Sequence, residues 1–129
     1  MIRLSALADR AIGEGALNSA IDLNERAKAL DIVSDILLQV NIGNEPQKGG
    51  VAEADLDLVT DTIAALHHLR LRGLMTMAPL EADAEAARPH FARLRELLEG
   101  LQRSGDVGPE CVHLSMGMSN DYVVAVEEG

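Results

Sequence analysis

Apolar residues recur along this chain at steps of three and four, and three short, nearly continuous apolar runs interrupt that rhythm. The first pattern marks helices with one buried stripe; the second marks strands covered on both faces. Leu4, Leu7, Ala8 and Ala11 have helical spacing until Gly13 and Gly15 break it. Ala20, Leu23, Ala27 and Leu30 stripe a second helix starting near Ala16, so residues 1–30 read as a helical lead-in. Asp35 to Ile42 (DILLQVNI) reads as a strand, and Gly43 to Gly50 (GNEPQKGG) as a loop by composition. Leu56, Val59, Ile63 and Leu66 stripe a helix over Ala52 to His68. Leu71 to Met77 (LRGLMTM) is a second strand, closed off by Ala78-Pro79. Ala87, Phe91, Leu94, Leu98 and Leu101 stripe a fourth helix. Ser104 to Pro109 is loop, Cys111 to Leu114 a third strand, and Asn120 to Glu128 a final short helix.

Strands separated by helices of this length cannot pair as hairpins, so the expected fold is α/β with a parallel sheet. Residues 35–129 supply three β/α units after the helical lead-in, within one domain spanning 1–129. Doubly wound sheets and (β/α)8 barrels both fit this order. A closed barrel takes ~250 residues, so three strands amount to less than half of one, a partial TIM barrel.

Composition narrows the function. Hydrophobic residues make up 47% of the 129 residues, so a packed core is expected and wholesale disorder is not. Aromatic residues are only 2%, which leaves the core to Leu, Val, Ile, Ala and Met. A formal charge of −10 argues against nucleic acid or an anionic membrane as partner. It leaves room for one small phosphate in a local pocket. Cys111 is the single cysteine, which fits a reducing cytoplasm. Arg3, Asp9 and Arg10 break up the first residues, so no signal peptide is expected there, and no apolar run reaches the ~20 residues of a membrane span.

In both candidate architectures ligands gather at the C-terminal ends of the strands. Three segments belong there: Asn41 to Gly50, Thr76 to Glu81, and Ser115 to Asp121. The last holds the most informative pattern, a strand running into Ser-Met-Gly-Met-Ser and then a helix opened by Ser119, Asn120 and Asp121. A helix start presents unpaired N–H groups and partial positive charge, which suit a phosphate, and Gly117 lets an anion approach the backbone. Ser119, Asn120 and Asp121 are equally the residues that cap a helix without any ligand. Met75, Met77, Met116 and Met118 at two neighbouring strand ends suit the wall of a flat ring, or irregular gap filling. Ser115 and Thr76 read as ordinary strand-end hydroxyls. Lys48 sits in a Gly-rich loop six residues past a strand, poor surroundings for a covalent amine; Lys28 falls in mid-helix. His67 and His68 are adjacent on a helix and diverge, and His90 and His113 are isolated. No Cys/His spacing fits zinc, no phosphate-loop or dinucleotide fingerprint is present, and no catalytic set can be drawn.

Four blocks in order, LLQVNIGNEPQKGG (Leu37 to Gly50), LRGLMTMAP (Leu71 to Pro79), RPHFARLREL (Arg88 to Leu97) and LSMGMSNDYVVAVEEG (Leu114 to Gly129), together resemble the pyridoxal phosphate homeostasis proteins, the YggS/PROSC family. The resemblance covers roughly Leu23 to Gly129. It implies a (β/α)8 barrel of the alanine racemase N-terminal type that binds pyridoxal 5′-phosphate (PLP) in the cytoplasm, in cofactor and amino-acid homeostasis, without established turnover. It implies that Ser119 contacts the cofactor phosphate with Met116 and Gly117 beside it, and that Asn41 and Met75 face the cofactor. It assigns no catalytic residue and no metal. The alternative it leaves is a PLP-dependent enzyme such as an amino-acid racemase, with its lysine supplied from outside this chain.

Departures from the family pattern set further expectations. The family holds its cofactor through a lysine in a motif like Val-Ser-Lys on an early strand, and a later strand resembling Arg-x-Gly-Thr adds phosphate contacts. Neither motif stands here, and neither Lys28 nor Lys48 takes the lysine's place. The resemblance thus implies the middle of a family member, cut at both ends. Such a piece is expected to bind PLP weakly and reversibly, without a borohydride-reducible bond to lysine. Open barrel edges give it a tendency to self-associate, to pair with the missing part of the barrel, or to remain loosely packed.

Overall fold

The computed structural model describes residues 2–4, 14–42, 50–76, 84–117 and 121–129. Strand β1 (Ile2–Leu4) is followed by helix α1 (Glu14–Ala29), β2 (Ser34–Asn41) and the two-residue β3 (Val51–Ala52). A 3-10 turn (Glu53–Asp55) leads into α2 (Leu56–Ala64), then β4 (Leu69–Met75). A second 3-10 turn (Ala84–Ala87) opens α3 (Arg88–Ser104), and β5 (His113–Ser115) and α4 (Tyr122–Glu128) complete the order.

All strand pairs are parallel, in the order β1-β2-β4-β5, with β3 beside the end of β2. The α/β reading and the parallel sheet stand. Residues 2–4 are a strand where a helix was expected: Ile2, Arg3 and Leu4 pair with Ile36, Leu37 and Leu38, while Leu7, Ala8 and Ala11 of that expected helix lie outside the described residues. Pairing with a long strand overrides a weak local period, because backbone hydrogen bonds to β2 are available and the three residues tolerate an extended chain. The described sheet therefore has a fourth long-range strand beyond the three expected. The remaining differences lie at boundaries. Strand β4 starts at Leu69, two residues early, and β5 starts at His113, two residues late. The helix expected over Ala52 to His68 is a 3-10 turn and a helix ending at Ala64.

One face of the sheet is dry. Ile36, Leu38 and Val40 of β2 and Leu69, Leu71 and Leu74 of β4 pack under Ala20 of α1, Leu56, Val59 and Ile63 of α2, and Leu94, Leu98 and Leu101 of α3. These are the stripe residues that the helical spacing marked. A second, smaller cluster joins Ala87 and Phe91 to Val124 and Ala125, and seats α4 on the start of α3. Met116 packs against both clusters.

The other face alternates polar and apolar residues: Asp35, Leu37, Gln39 and Asn41 on β2, Arg70, Arg72 and Met75 on β4, His113 and Ser115 on β5. A bulge in the β2–β4 register places Leu71 opposite Ile36 and Gly73 opposite Leu37, so Arg72 is the extra residue. Arg70 and Arg72 both reach Asp35, at 2.6 and 3.2 Å. Gly73 is needed just past the bulge, because a Cβ there would collide with the main chain of His113 on β5.

Candidate functional site

Parallel pairing brings the C-terminal ends of β2, β4 and β5 to one edge of the sheet. Gln39, Met75 and Ser115 form a row across the three strands in register. Thr76 fastens that edge: its hydroxyl donates to Val40 O at 2.9 Å, and its N–H donates to Ser115 O at 3.1 Å. Thr76 is thus a structural hydroxyl, as its position suggested. Asn41 closes β2 and is buried, with Gly50 packed against its main chain.

Of the residues expected around a cofactor, four are described, and they share this edge. Asn41 ends β2, Met75 ends β4, and Met116 and Gly117 follow β5 directly. Met75, Met116 and Gly117 are half-buried. Ser119, Asn120, Met77, Met118 and Lys48 lie outside the described residues.

Gly117 has φ +97°, a left-handed backbone that disfavours any residue with a Cβ. A Cβ there would also stand 2.8 Å from the Ala125 side chain and 3.4 Å from Tyr122 Cα. Close packing of the turn against α4 therefore explains the glycine with no ligand in view. The same site would lie 3.7 Å from Asp121 Oδ1, so the α4 side of the turn is filled and carries a carboxylate. Any anion at this turn belongs on its other side, toward the strand ends. Asp121 occupies the N-cap position of α4, is buried, and makes no side-chain cap bond; its carbonyl accepts from Ala125 N–H at 3.1 Å.

Two arginines that spacing and composition had not singled out hold α4, and with it the turn. Arg88 reaches Glu85 at 2.8 Å, Glu127 at 2.9 Å and Glu128 at 2.7 Å. Arg95 donates to the Glu128 carboxylate and to Glu128 O, both at 2.8 Å. The hydrogen bonds from Arg88 and then Arg95 hold the Glu128 carboxyl below the usual carboxylate range, and Arg88 does the same to Glu85. Glu128 is largely enclosed in this clamp. The available signal was the seven-residue spacing of Arg88 and Arg95, two turns apart on one face of α3.

At the opposite end of the strands, the hydrogen bond from Arg70 and the charges of both arginines lower the Asp35 carboxyl. Arg72 also donates to Glu110 O and lies 3.3 Å from His113 Nε2, which makes that nitrogen the acceptor. His68 is structural: its N–H donates to Asn24 Oδ1 at 2.9 Å and its Nδ1 faces Ile32 O at 3.0 Å. Burial, then the nearby Glu110 charge, pushes the Cys111 thiol up to about 11, so it is no nucleophile at neutral pH. Lys28 is exposed in the last turn of α1, at the end of the fold away from the strand mouth. Among the described residues no group of His, Cys, Asp or Glu is arranged to hold a metal ion, and no helix is long and apolar enough to cross a membrane.

Known proteins resemble this chain in sequence and in fold. The chain is 43% identical over 112 residues to a pyridoxal phosphate homeostasis protein of Aquifex aeolicus, covering 87% of this chain and 48% of that one. It is 42% identical over 95 residues to a protein of the same name from Pseudomonas aeruginosa, covering 74% and 39%. The chain thus spans about half, or less, of the length of these curated relatives. Among solved structures it superposes on PipY of Synechococcus elongatus with PLP bound, at a TM-score of 0.74 and 32% identity, over 87% of this chain and 51% of that one. Without PLP the same protein gives a TM-score of 0.77. The family model described as alanine racemase, N-terminal domain, matches residues 14–125, and the chain belongs to that family.

Proposed function

We propose that this chain is a PLP-binding protein of cofactor and amino-acid homeostasis, acting in the cytoplasm without turnover of its own. The observation that carries the reading is the shared edge: Asn41, Met75, Met116 and Gly117 stand at or just past the ends of three strands paired in parallel. The donors fit the cofactor's parts. Main-chain N–H groups of the turn after β5 and the hydroxyl of Ser119 suit the phosphate dianion. The thioethers of Met75 and Met116 suit the faces of a pyridine ring. Asn41 is a buried amide at the same edge and would suit a polar group of the ring. The names of the relatives and the PLP-bound PipY structure support this choice of ligand.

When bound, PLP supplies an aldehyde and an electron-withdrawing ring; this chain's described residues supply orientation. Met116 is pinned between the two apolar clusters, and Gly117 is docked on α4. Met116 and Gly117 are therefore held in place before any ligand arrives. No described lysine reaches the mouth, since Lys28 lies at the other end of the fold. Binding is accordingly reversible, and the open strand edges favour self-association.

Absorbance titration with PLP, on wild type and Ser119→Ala, tests the reading. Saturable binding that weakens by about tenfold in the variant is expected for one lost charge-assisted hydrogen bond. Equal affinities remove Ser119 from the site. No saturable binding by wild type ends the cofactor reading for this chain.

A further inference from the structure

We propose that the groove between α2 and α3 is a docking site for a basic, amphipathic segment of a partner protein. The groove lies on the helical side of the sheet and shares no lining residue with the strand-end edge, so the inference stands apart from the cofactor reading.

Helix length creates the groove. Helix α2 has 9 residues and α3 has 17, so α2 is too short to cover the flank of α3. Helix α2 packs on α1 and α3 packs on α4, while α2 and α3 stand apart. Both helices, and β4 between them in the chain, have their neighbours present, so the groove is no open edge of the sheet. Two hollows open there and meet at Asp106. One, of about 290 Å³, has Leu56, Leu97 and Leu101 as apolar lining. The other, of about 250 Å³, has Ile63, Leu69 and Val107. Small-molecule sites run from ~300 Å³ upward. Each hollow is thus sized for side chains, and two in a row suit successive anchors of one peptide segment.

Gly100 lines the first hollow from within α3. Glycine weakens a helix interior relative to alanine. A Cβ at this position would meet nothing within 4 Å, so no contact among the described residues requires the glycine. Its small size instead lets another main chain come against α3. Charge selects that chain. Asp57 and Asp106 line the first hollow, and Asp106 and Glu110 the second. Ser104 donates to Asp106 at 2.7 Å but leaves its charge in place. None of these three carboxylates has an ion pair among the described residues. The arginines at the two ends of the groove are engaged: Arg93 by Glu53 at 2.7 Å, and Arg70 by Asp35 at 2.6 Å. What remains is negative, on a chain of formal charge −10. The complementary occupant carries lysine or arginine beside its apolar anchors. The same field repels nucleic acid and anionic membranes.

Fluorescence polarisation with a labelled peptide of alternating leucine and lysine, on the whole chain without cofactor, tests the proposal. Saturable binding is expected, and none to the counterpart with glutamate in place of lysine. Gly100→Met fills the groove from α3 and should weaken binding by about tenfold or more. Its urea midpoint should not fall, since methionine favours a helix and its Cβ meets open space. Asp57→Asn and Asp106→Asn should each weaken binding about two- to fivefold. Asp61→Asn removes an exposed acid of α2 outside the groove lining and should change nothing. No saturable binding, equal binding of the glutamate peptide, or unchanged binding by Gly100→Met would overturn the proposal. So would Asp61→Asn weakening it as much as Asp57→Asn, which would mark general attraction to an acidic surface. Sedimentation velocity showing a dimer that Gly100→Met abolishes would assign the groove to a second copy and overturn the partner segment.

Discussion

Leu37 and Leu38 are neighbours on β2, yet Leu38 is fully buried beneath the helices and Leu37 is only half-buried on the opposite face. The same division runs through the sheet. On the helix side, aliphatic residues from three helices and two strands form one dry cluster. On the other side, Asp35, Arg70, Arg72 and His113 form an ion network open to solvent, and the mouth residues sit above it. The first face is organised by transfer from water and shape. The second is organised by pairing of charges and by strand register. Stability resides on the first face, and the second keeps the polar groups that a ligand would require, because burial favours few of them.

Truncation at matched positions should show the contrast most strongly. Leu38→Ala leaves a cavity in a filled core and should destabilise by about 2–5 kcal/mol. Leu37→Ala should cost about 1 kcal/mol or less, for lack of a closed cavity. Urea unfolding measures both, and equal losses would erase the distinction between the faces.

Gly73→Ala tests where the two faces meet. The added Cβ would be driven into the main chain of His113, so β5 must move away from β4. A loss of about 1–3 kcal/mol is expected. Amide exchange should quicken in His113–Ser115 before it quickens in β2.

Gly100 is the converse case. It lies inside α3, and a Cβ there meets nothing within 4 Å. Gly100→Ala should therefore raise stability by about 0.5–1 kcal/mol, seen as a higher urea midpoint.

The ion pairs should matter least at neutral pH, since water screens them. Their sign is still defined. Hydrogen bonds from Arg70 to Asp35, from Arg88 to Glu85, and from Arg88 and Arg95 to Glu128 lower those carboxyls in the folded chain. The unfolded chain then binds more protons, so this contribution is full above the ordinary carboxylate range and is lost as pH falls through the lowered folded values. Urea midpoints followed from neutrality to about pH 3 should decline less steeply in Arg88→Gln than in wild type. A parallel decline would remove the clamp on α4 from this account.

Several of these features were readable from residue order. The stripe Leu56, Val59, Ile63 and the stripe Phe91, Leu94, Leu98, Leu101 both face the core, because helical periodicity and burial express one constraint. The parallel sheet followed from strands separated by helices. Asn41, Met75, Met116 and Gly117 could be placed at strand ends on the same grounds. The start of the chain could not, since Ile2–Leu4 take their conformation from β2 and not from their neighbours. The bulge at Arg72, which turns two arginines onto one aspartate, is likewise a matter of register between strands far apart in the chain.

Residue order alone settled the α/β alternation and the core stripes, because those depend on spacing within single segments. Folding in three dimensions decided which segments meet: β1 on β2, Arg88 and Arg95 on Glu128, and Gly117 on Ala125. These are contacts across 30 residues or more, except the last, and no local period encodes them. They arise because each apolar face must be covered and each buried charge must be paired, and only the assembled chain offers the partners.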